Sequence, residues 1–299
     1  MEQTSEAKPH TGGEKKIPVV EMFGPTIEGE GALIGAQTFF IRFGLCDYRC
    51  AKCDSMHAVD PALVKVSATW LTPQEIAENL LEARRKGGYE HIKNVTFSGG
   101  NPAIHDLTQL VHLLHDADMT IFVETQGTLA PDWFYNVDHI VVSPKAPTMI
   151  SPNSKVFDMG IFVNFMHKYL AGGQHMSVKV AVFSAIDLEF AAYITEVCKE
   201  LTGYRGFNLQ EDFYLSLGNP YPPIFKAANG MITQFDPQVE VAEKSDSNIN
   251  AFANKKALVE HLLKSYNILS EEIMKDKRLS FAKFLPQLHV LVYGNETGK

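Results

Sequence analysis

The chain has 299 residues, 45% of them hydrophobic and 21% charged, with a formal net charge of −8. Its apolar content suffices for one large core or two modest ones; the acidic balance argues against broad binding to nucleic-acid backbones, and no run of roughly eighteen apolar residues offers a membrane span. Four cysteines make a poor disulfide framework at this length, so a cytoplasmic protein with thiols free for metal or redox chemistry is expected.

Residues 1–16 are polar, lack the apolar stretch of a secretory signal, and read as a flexible tail ahead of one domain over 17–299. "TFFIRFGL" (38–45) reads as a buried strand that runs directly into a cysteine cluster. "LTPQEIAENLLEARRKGG" (71–88) reads as a helix: Thr72 is its N-cap, Pro73 suits its first turn, Glu75 completes a capping box, and Gly87 and Gly88 end it. "NVTFSGGNP" is a strand entering a glycine turn, and "DLTQLVHLLHDA" a helix with apolar spacings of three and four. "MTIFVETQGT", "HIVVSPKAP" and "SVKVAVF" are strands, "VFDMGIFVNFMHKYLAGG" and "DLEFAAYITEVCKEL" helices, and "FYLSLGN" the expected last strand. Residues 219–252, rich in Pro, Asn and Ser, read as an insertion or mobile loop. The closing "AKFLPQLHVLVYGNETGK" is apolar around a polar QLH and is expected to pack back onto the fold.

Alternating strands and helices predict an α/β fold with mostly parallel strands, open or curled into a partial, TIM-like barrel. The unusual polar segments, "CDYRCAKCDS", "SGGNP", "ETQGT" and "SPK", all come just after strands. Strand C-termini share one edge of a parallel sheet, so these four loops are expected to converge on one site.

Cys46, Cys50 and Cys53 are spaced Cys-x3-Cys-x2-Cys, while Cys198 stands alone in an amphipathic helix and reads as a buried hydrophobe. A zinc site wants four ligands, and His57 is the nearest fourth. A 4Fe–4S cluster held by only three cysteines leaves one iron open to an external ligand. Arg42 sits within an apolar strand, where an unpaired charge is costly, and its planar fork suits a carboxylate.

The cysteine spacing resembles the signature of radical S-adenosylmethionine enzymes. The wider set "PVVEMFGPTIEGEG" (18–31), "FFIRFGLCDYRCAKCDS" (39–55), "FSGGNPAIHDL" (97–107), "ETQGT" (124–128), "SPKAP" (143–147) and "LPQLHVLVYGN" (285–295) resembles the 7-carboxy-7-deazaguanine synthase family, nearest its Bacillus-like type. The resemblance implies conversion of 6-carboxy-5,6,7,8-tetrahydropterin to 7-carboxy-7-deazaguanine with loss of ammonia, on the route to queuosine and related 7-deazaguanines. It also implies a 4Fe–4S cluster, S-adenosylmethionine used as a regenerated cofactor, Mg2+, an electron donor such as flavodoxin, and a homodimer. By the same resemblance Cys46, Cys50 and Cys53 hold the cluster and Ser55 ligates magnesium. Ile27, Glu28, Gly29, Glu30, Arg42, Ser98 and His289 are the implied substrate contacts, with Arg42 and Glu30 the candidates for a catalytic role. Lys52, Cys53, Asp54, Gly99, Gly100, Asn101, Thr125, Gln126, Ser143 and Lys145 are the implied S-adenosylmethionine contacts. Three positions depart from the usual pattern: Leu45 where glycine is more usual, Lys52 where an aromatic is, and Asn101 where an acid is. They keep two other readings in view, a different radical enzyme such as a glycyl-radical activase, and a non-catalytic zinc or regulatory protein on the same scaffold.

Overall fold

Side chains on β2 (Gln37–Phe43) alternate between two environments, and that alternation sets the plan of the molecule. Phe39, Ile41 and Phe43 are buried in the hydrophobic core, whereas Thr38, Phe40 and Arg42 face the opposite side of the sheet. The structure, a computed structural model, describes residues 15–151, 155–219, 225–226, 232–233 and 255–294. The expected tail over 1–16 and the expected insertion over 219–252 lie almost wholly outside the described residues.

The chain runs through β1 (Ile17–Ile27), β2, α1 (Met56–Val59), α2 (Pro61–Ser67), β3 (Thr69–Leu71), α3 (Pro73–Lys86), β4 (Asn94–Gly99), α4 (Thr108–Asp116) and β5 (Thr120–Thr125). It continues through β6 (His139–Val142), α5 (Met159–Ala171), β7 (Met176–Val182), α6 (Ala185–Lys199), α7 (Leu209–Asp212) and β8 (Phe213–Leu217). The short β9 (Phe225–Lys226) and β10 (Ile232–Thr233) pair with each other, and α8 (Lys255–Lys275), β11 (Lys283–Leu285) and α9 (Leu288–Tyr293) follow. The main sheet has the order β11-β8-β7-β6-β5-β4-β2-β1-β3. From β11 to β2 every neighbouring pair is parallel; β1 is antiparallel to both β2 and β3.

The sheet's two end strands do not pair, so it is open, but it is curled. Strands about 4.8 Å apart would hold β2 and β11 about 29 Å apart in a flat sheet. Arg42 on β2 and Gln287 just after β11 nevertheless line one cavity. The convex face carries Val95, Phe97, Ile121, Val123, Ile140 and Val178 into a core shared with Ile76, Leu80, Leu110, Phe165 and Tyr169 of the helices. The concave face carries Thr96, Ser98, Glu124, Lys179 and Ser216, which turn the trough into a polar lumen.

Helix α3 forms as its sequence predicts: Thr72 Oγ1 accepts from Glu75 N at 3.2 Å, Glu75 Oε2 accepts from Thr72 N at 2.8 Å, and Gly87 closes the helix. One element differs from the sequence reading and two others go beyond it. "FYLSLGN" is not the last strand, because the three-residue β11 adds beside it in parallel register; a strand that short carries no alternation to read. Helix α8 is long and one-sided, with Leu258, Leu262, Leu269 and Ile273 buried. The stretch before "PTIEGEG" is strand β1, whose register against β2 shifts between Val19 and Glu21 and again between Phe23 and Thr26.

Candidate active site

The segment after β1 turns back under the trough instead of lying in solvent. Glu28 N donates to Ala36 O at 2.8 Å and Gly35 N to Glu28 O at 2.9 Å, closing the turn. The turn places Glu30 beneath β7 and β8: Lys179 Nζ donates to Glu30 Oε2 at 2.5 Å and to Glu124 Oε1 at 2.7 Å, and Ser216 Oγ donates to Glu30 Oε1 at 2.9 Å. Gln287 Nε2 donates to the same Glu30 Oε1 at 2.5 Å, while its Oε1 is buried with no hydrogen-bond partner among the described residues. His289 packs on Gly29 so closely that a Cβ there would fall 1.8 Å from the imidazole Nδ1.

Three carboxylates and one ammonium share this floor. Burial raises the Glu28 carboxyl, and Glu124 and Glu30 raise it further, to about 8, against an opposing pull from Lys179. Burial also pushes Glu30 upward, but Lys179 and its other partners overrule it and hold Glu30 at about 2. Glu124 is lowered for the same reason, and Lys179, although burial alone would favour its neutral form, is held well above the ordinary lysine range by Glu124 and Glu30. The floor is thus a buried ammonium between two carboxylates, beside an acid that holds its proton more tightly than an ordinary glutamic acid.

The opposite wall is the cysteine loop. It leaves β2 through Leu45, whose φ of 77° lies in the left-handed region where glycine is favoured. Ala51 N donates to Met149 O at 2.8 Å and Ser151 Oγ to Arg49 O at 2.5 Å, which ties the loop to the segment after β6. Cys46, Cys50 and Cys53 are free thiols lining the cavity. Burial raises all three, Cys50 to about 11, so each is a protonated thiol until a metal displaces the proton. Among the described residues no three His, Cys, Asp or Glu side chains come close enough to grip a single ion. Three soft sulfur donors without a fourth ligand from His57 suit an iron–sulfur centre with one iron left open better than a four-ligand zinc site. His57 does not join them; its Nε2 lies 3.4 Å from Glu21 Oε2, outside the cavity lining.

Between wall and floor stands Arg42. Its Nε donates to Glu21 Oε2 at 2.7 Å and its Nη1 to Ser55 Oγ at 2.7 Å; Ser55 Oγ in turn donates to Asp54 Oδ1 at 2.9 Å. Burial raises Glu21, and His57 and Arg42 together bring it below the ordinary carboxylate range.

One cavity of about 220 Å³ is lined by Ile27, Glu28, Gly29, Glu30, Arg42, Ser98 and His289, by the three cysteines with Lys52, Asp54 and Ser55, and by Gly99, Gly100, Thr125, Gln126, Ser143 and Lys145. Of the implied substrate, S-adenosylmethionine and metal contacts, Asn101 alone does not line it; its side chain is fully buried and spent on hydrogen bonds within the fold. Lys52 lies with Nζ 4.3 Å from the ring centroid of Phe183, so an aromatic does flank this part of the cavity, supplied by the residue just after β7. Lys179, Glu124, Gln287 and Phe183 line the cavity without having been read from the sequence. Lys179 carried the same signal as Arg42, a cation inside an apolar strand.

No family model matches the chain. The 7-carboxy-7-deazaguanine synthase of Bacillus subtilis (strain 168) is 33% identical over 287 residues, covering 95% of this chain and 99% of the relative. The 7-carboxy-7-deazaguanine synthase of Bacillus cereus is 33% identical over 284 residues, with coverage of 95% and 99%. Among solved structures, the crystal structure of QueE from Escherichia coli superposes with a TM-score of 0.47 at 22% identity, covering 68% of this chain and 83% of that one.

Proposed function

This chain belongs to the 7-carboxy-7-deazaguanine synthase family, and on that premise we propose that its cavity converts 6-carboxy-5,6,7,8-tetrahydropterin to 7-carboxy-7-deazaguanine with loss of ammonia. It is a radical S-adenosylmethionine lyase of 7-deazaguanine biosynthesis. The observation that carries the reading is the single cavity that joins three free thiols to Arg42 and to the charged floor.

The cluster and S-adenosylmethionine, when bound, supply the radical that takes a hydrogen from the pterin. The protein supplies orientation and a site shielded from water. Arg42 suits the substrate carboxylate: Nε is occupied by Glu21 and Nη1 by Ser55, which fixes the guanidinium plane and leaves the remaining N–H groups of the fork for a ligand. Ser55, at 2.7 Å from Arg42 Nη1, is the proposed magnesium ligand, since a hard cation beside Arg42 would share the same carboxylate. The floor suits a pterin edge, which carries both donors and acceptors. Glu30 and Glu124 offer acceptor oxygens, the Gln287 Oε1 is an acceptor with no partner among the described residues, and Glu28, whose carboxyl is raised, is suited to donate. His289, stacked on Gly29, closes that end. Gln126, Thr125, Ser143, Lys145 and the Gly99–Gly100 backbone lie on the thiol side, where S-adenosylmethionine is proposed to sit.

An electron donor such as flavodoxin, a homodimeric assembly and a cytoplasmic setting belong to the same proposal; the four free thiols support the last. Among the described residues no helix is long and apolar enough to cross a membrane. The test is anaerobic reconstitution followed by ultraviolet detection of 7-carboxy-7-deazaguanine from the pterin. Wild type is expected to turn over and Arg42→Ala to lose turnover at saturating S-adenosylmethionine; a reconstituted wild type that leaves the pterin untouched refutes the assignment.

A further inference from the structure

We propose that Asp47, next to the first cysteine, is the positioning residue that fastens the cysteine loop to the loops after β4 and β5, and that its charge is the reason an amide stands at position 101. The inference rests on the reading of Cys46, Cys50 and Cys53 as cluster ligands.

The two loops are already zipped together through their backbones. Gly100 N donates to Phe43 O at 2.9 Å and Asn101 N to Leu45 O at 2.8 Å. A Cβ at Gly99 would fall 2.1 Å from Phe43 O, and one at Gly100 would fall 1.9 Å from Leu45 O, so only glycine permits this approach. Asp47 extends the zipper with side chains. Its Oδ1 accepts from Asn101 Nδ2 at 2.8 Å and from Gln126 Nε2 at 2.5 Å; its Oδ2 accepts from Thr128 Oγ1 at 2.7 Å. The Asp47 side chain is only 10% exposed, and the cation paired with it among the described residues, Lys155, stands 3.6 Å away and is itself 61% exposed. Three directed donors therefore do most of the work of holding this carboxylate.

Asn101 faces two ways at once. Its Oδ1 accepts from Thr125 Oγ1 at 3.0 Å and from Ala103 N at 3.2 Å, while its Nδ2 donates to Asp47. The backbone N–H of Ala103 can only donate, so the amide orientation is fixed by its partners. An aspartate here would keep the acceptor side and lose the donor side, setting a second buried carboxylate against Asp47. Gln126 carries the arrangement to the metal ligands: the Nε2 held by Asp47 also lies 3.5 Å from Cys46 Sγ. An N–H aimed at a cluster sulfur tunes the cluster's electronics.

The test compares full-length wild type, Asn101→Asp, Asp47→Asn and the double variant Asp47→Asn/Asn101→Asp after anaerobic reconstitution. S-adenosylmethionine binding is measured by equilibrium dialysis and the reduced cluster by electron paramagnetic resonance. Asn101→Asp is expected to weaken binding by at least about tenfold and to alter the resonance; the double variant, with one carboxylate again, is expected to return to within about threefold of wild type. Asp47→Asn, which keeps the acceptor but not the charge, is expected to fall between. Binding by Asn101→Asp within about twofold of wild type, or a double variant no better than Asn101→Asp, overturns the proposal. A wild type that takes up no iron or sulfide defeats the cluster reading separately. The clamp then stands or falls on the melting temperatures of the metal-free proteins, with Asn101→Asp lowest and the double variant recovered.

Discussion

Lys179 Nζ and Glu30 Oε2 meet at 2.5 Å although 149 residues separate them in the chain. The contact joins the turn after β1 to the middle of β7 and so closes the underside of the trough. With Glu124 at 2.7 Å on its other side, the buried ammonium is the counter-ion of two part-buried carboxylates. Lys179→Met is expected to destabilise the protein by about 3–5 kcal/mol, because it leaves both acids uncompensated. Adding Glu30→Gln to it is expected to recover part of that loss. Urea denaturation of the cluster-free proteins measures both; a Lys179→Met variant as stable as wild type would mean the ion pair does not hold the floor.

In the proposed site Glu21 would act on the substrate only through Arg42, since it holds the guanidinium without lining the cavity. Glu21→Gln keeps a hydrogen-bond acceptor for Nε at 2.7 Å but loses the charge. Steady-state kinetics are expected to show KM for the pterin rising by about tenfold with a smaller change in kcat, since the fork is loosened and not removed. Arg42→Lys, which keeps the charge and loses the fork, is expected to be worse than Glu21→Gln. An unchanged KM in Glu21→Gln would detach Glu21 from substrate binding.

Glu28 makes stability depend on pH in a defined window. Its folded-state carboxyl is raised to about 8 from an ordinary value of 4.5. Between those values the folded protein holds a proton that the unfolded chain has released, so stability falls as pH rises through the window. Glu30 works in the other direction: lowered to about 2, it contributes stability above about 4.5 that is lost as pH falls toward 2. Glu28→Gln is therefore expected to melt at a temperature that drops less than wild type between pH 5 and pH 9, roughly the two ends of that window. Melting curves at both pH values decide it; parallel losses in the two proteins would place the titration elsewhere.

Cys198 is fully buried in α6 and serves as packing. Cys198→Ala is expected to retain the full iron content at a cost of about 1 kcal/mol, whereas Cys50→Ser loses the cluster. Iron and sulfide assays on the two variants separate them, and equal iron in both would contradict the assignment of the thiols.

Much of this was legible in the sequence because the signals are local. The cysteine spacing, the Thr72–Glu75 capping box and the polar loops after strands are all read within a dozen residues, and each element formed where its pattern lay. The floor was not legible. Glu30 finds Lys179, Ser216 and Gln287 only once the sheet has curled, across separations of 149, 186 and 257 residues. Taken alone, "PTIEGEG" reads as a solvent turn because acids and glycines favour turns; the curvature that buries it is a property of the whole sheet. Asn101 illustrates the converse. Its departure from the usual acid is visible in the sequence, but its reason, the Asp47 carboxylate, appears only when the two loops are side by side.

The most direct test of the central claim, a three-thiolate cluster with one iron left open inside this cavity, is spectroscopic. Anaerobically reconstituted protein is predicted to hold about four iron and about four sulfide per chain, and its reduced-state resonance is predicted to change on adding S-adenosylmethionine. A colourless protein that retains zinc, or a resonance indifferent to S-adenosylmethionine, would contradict it.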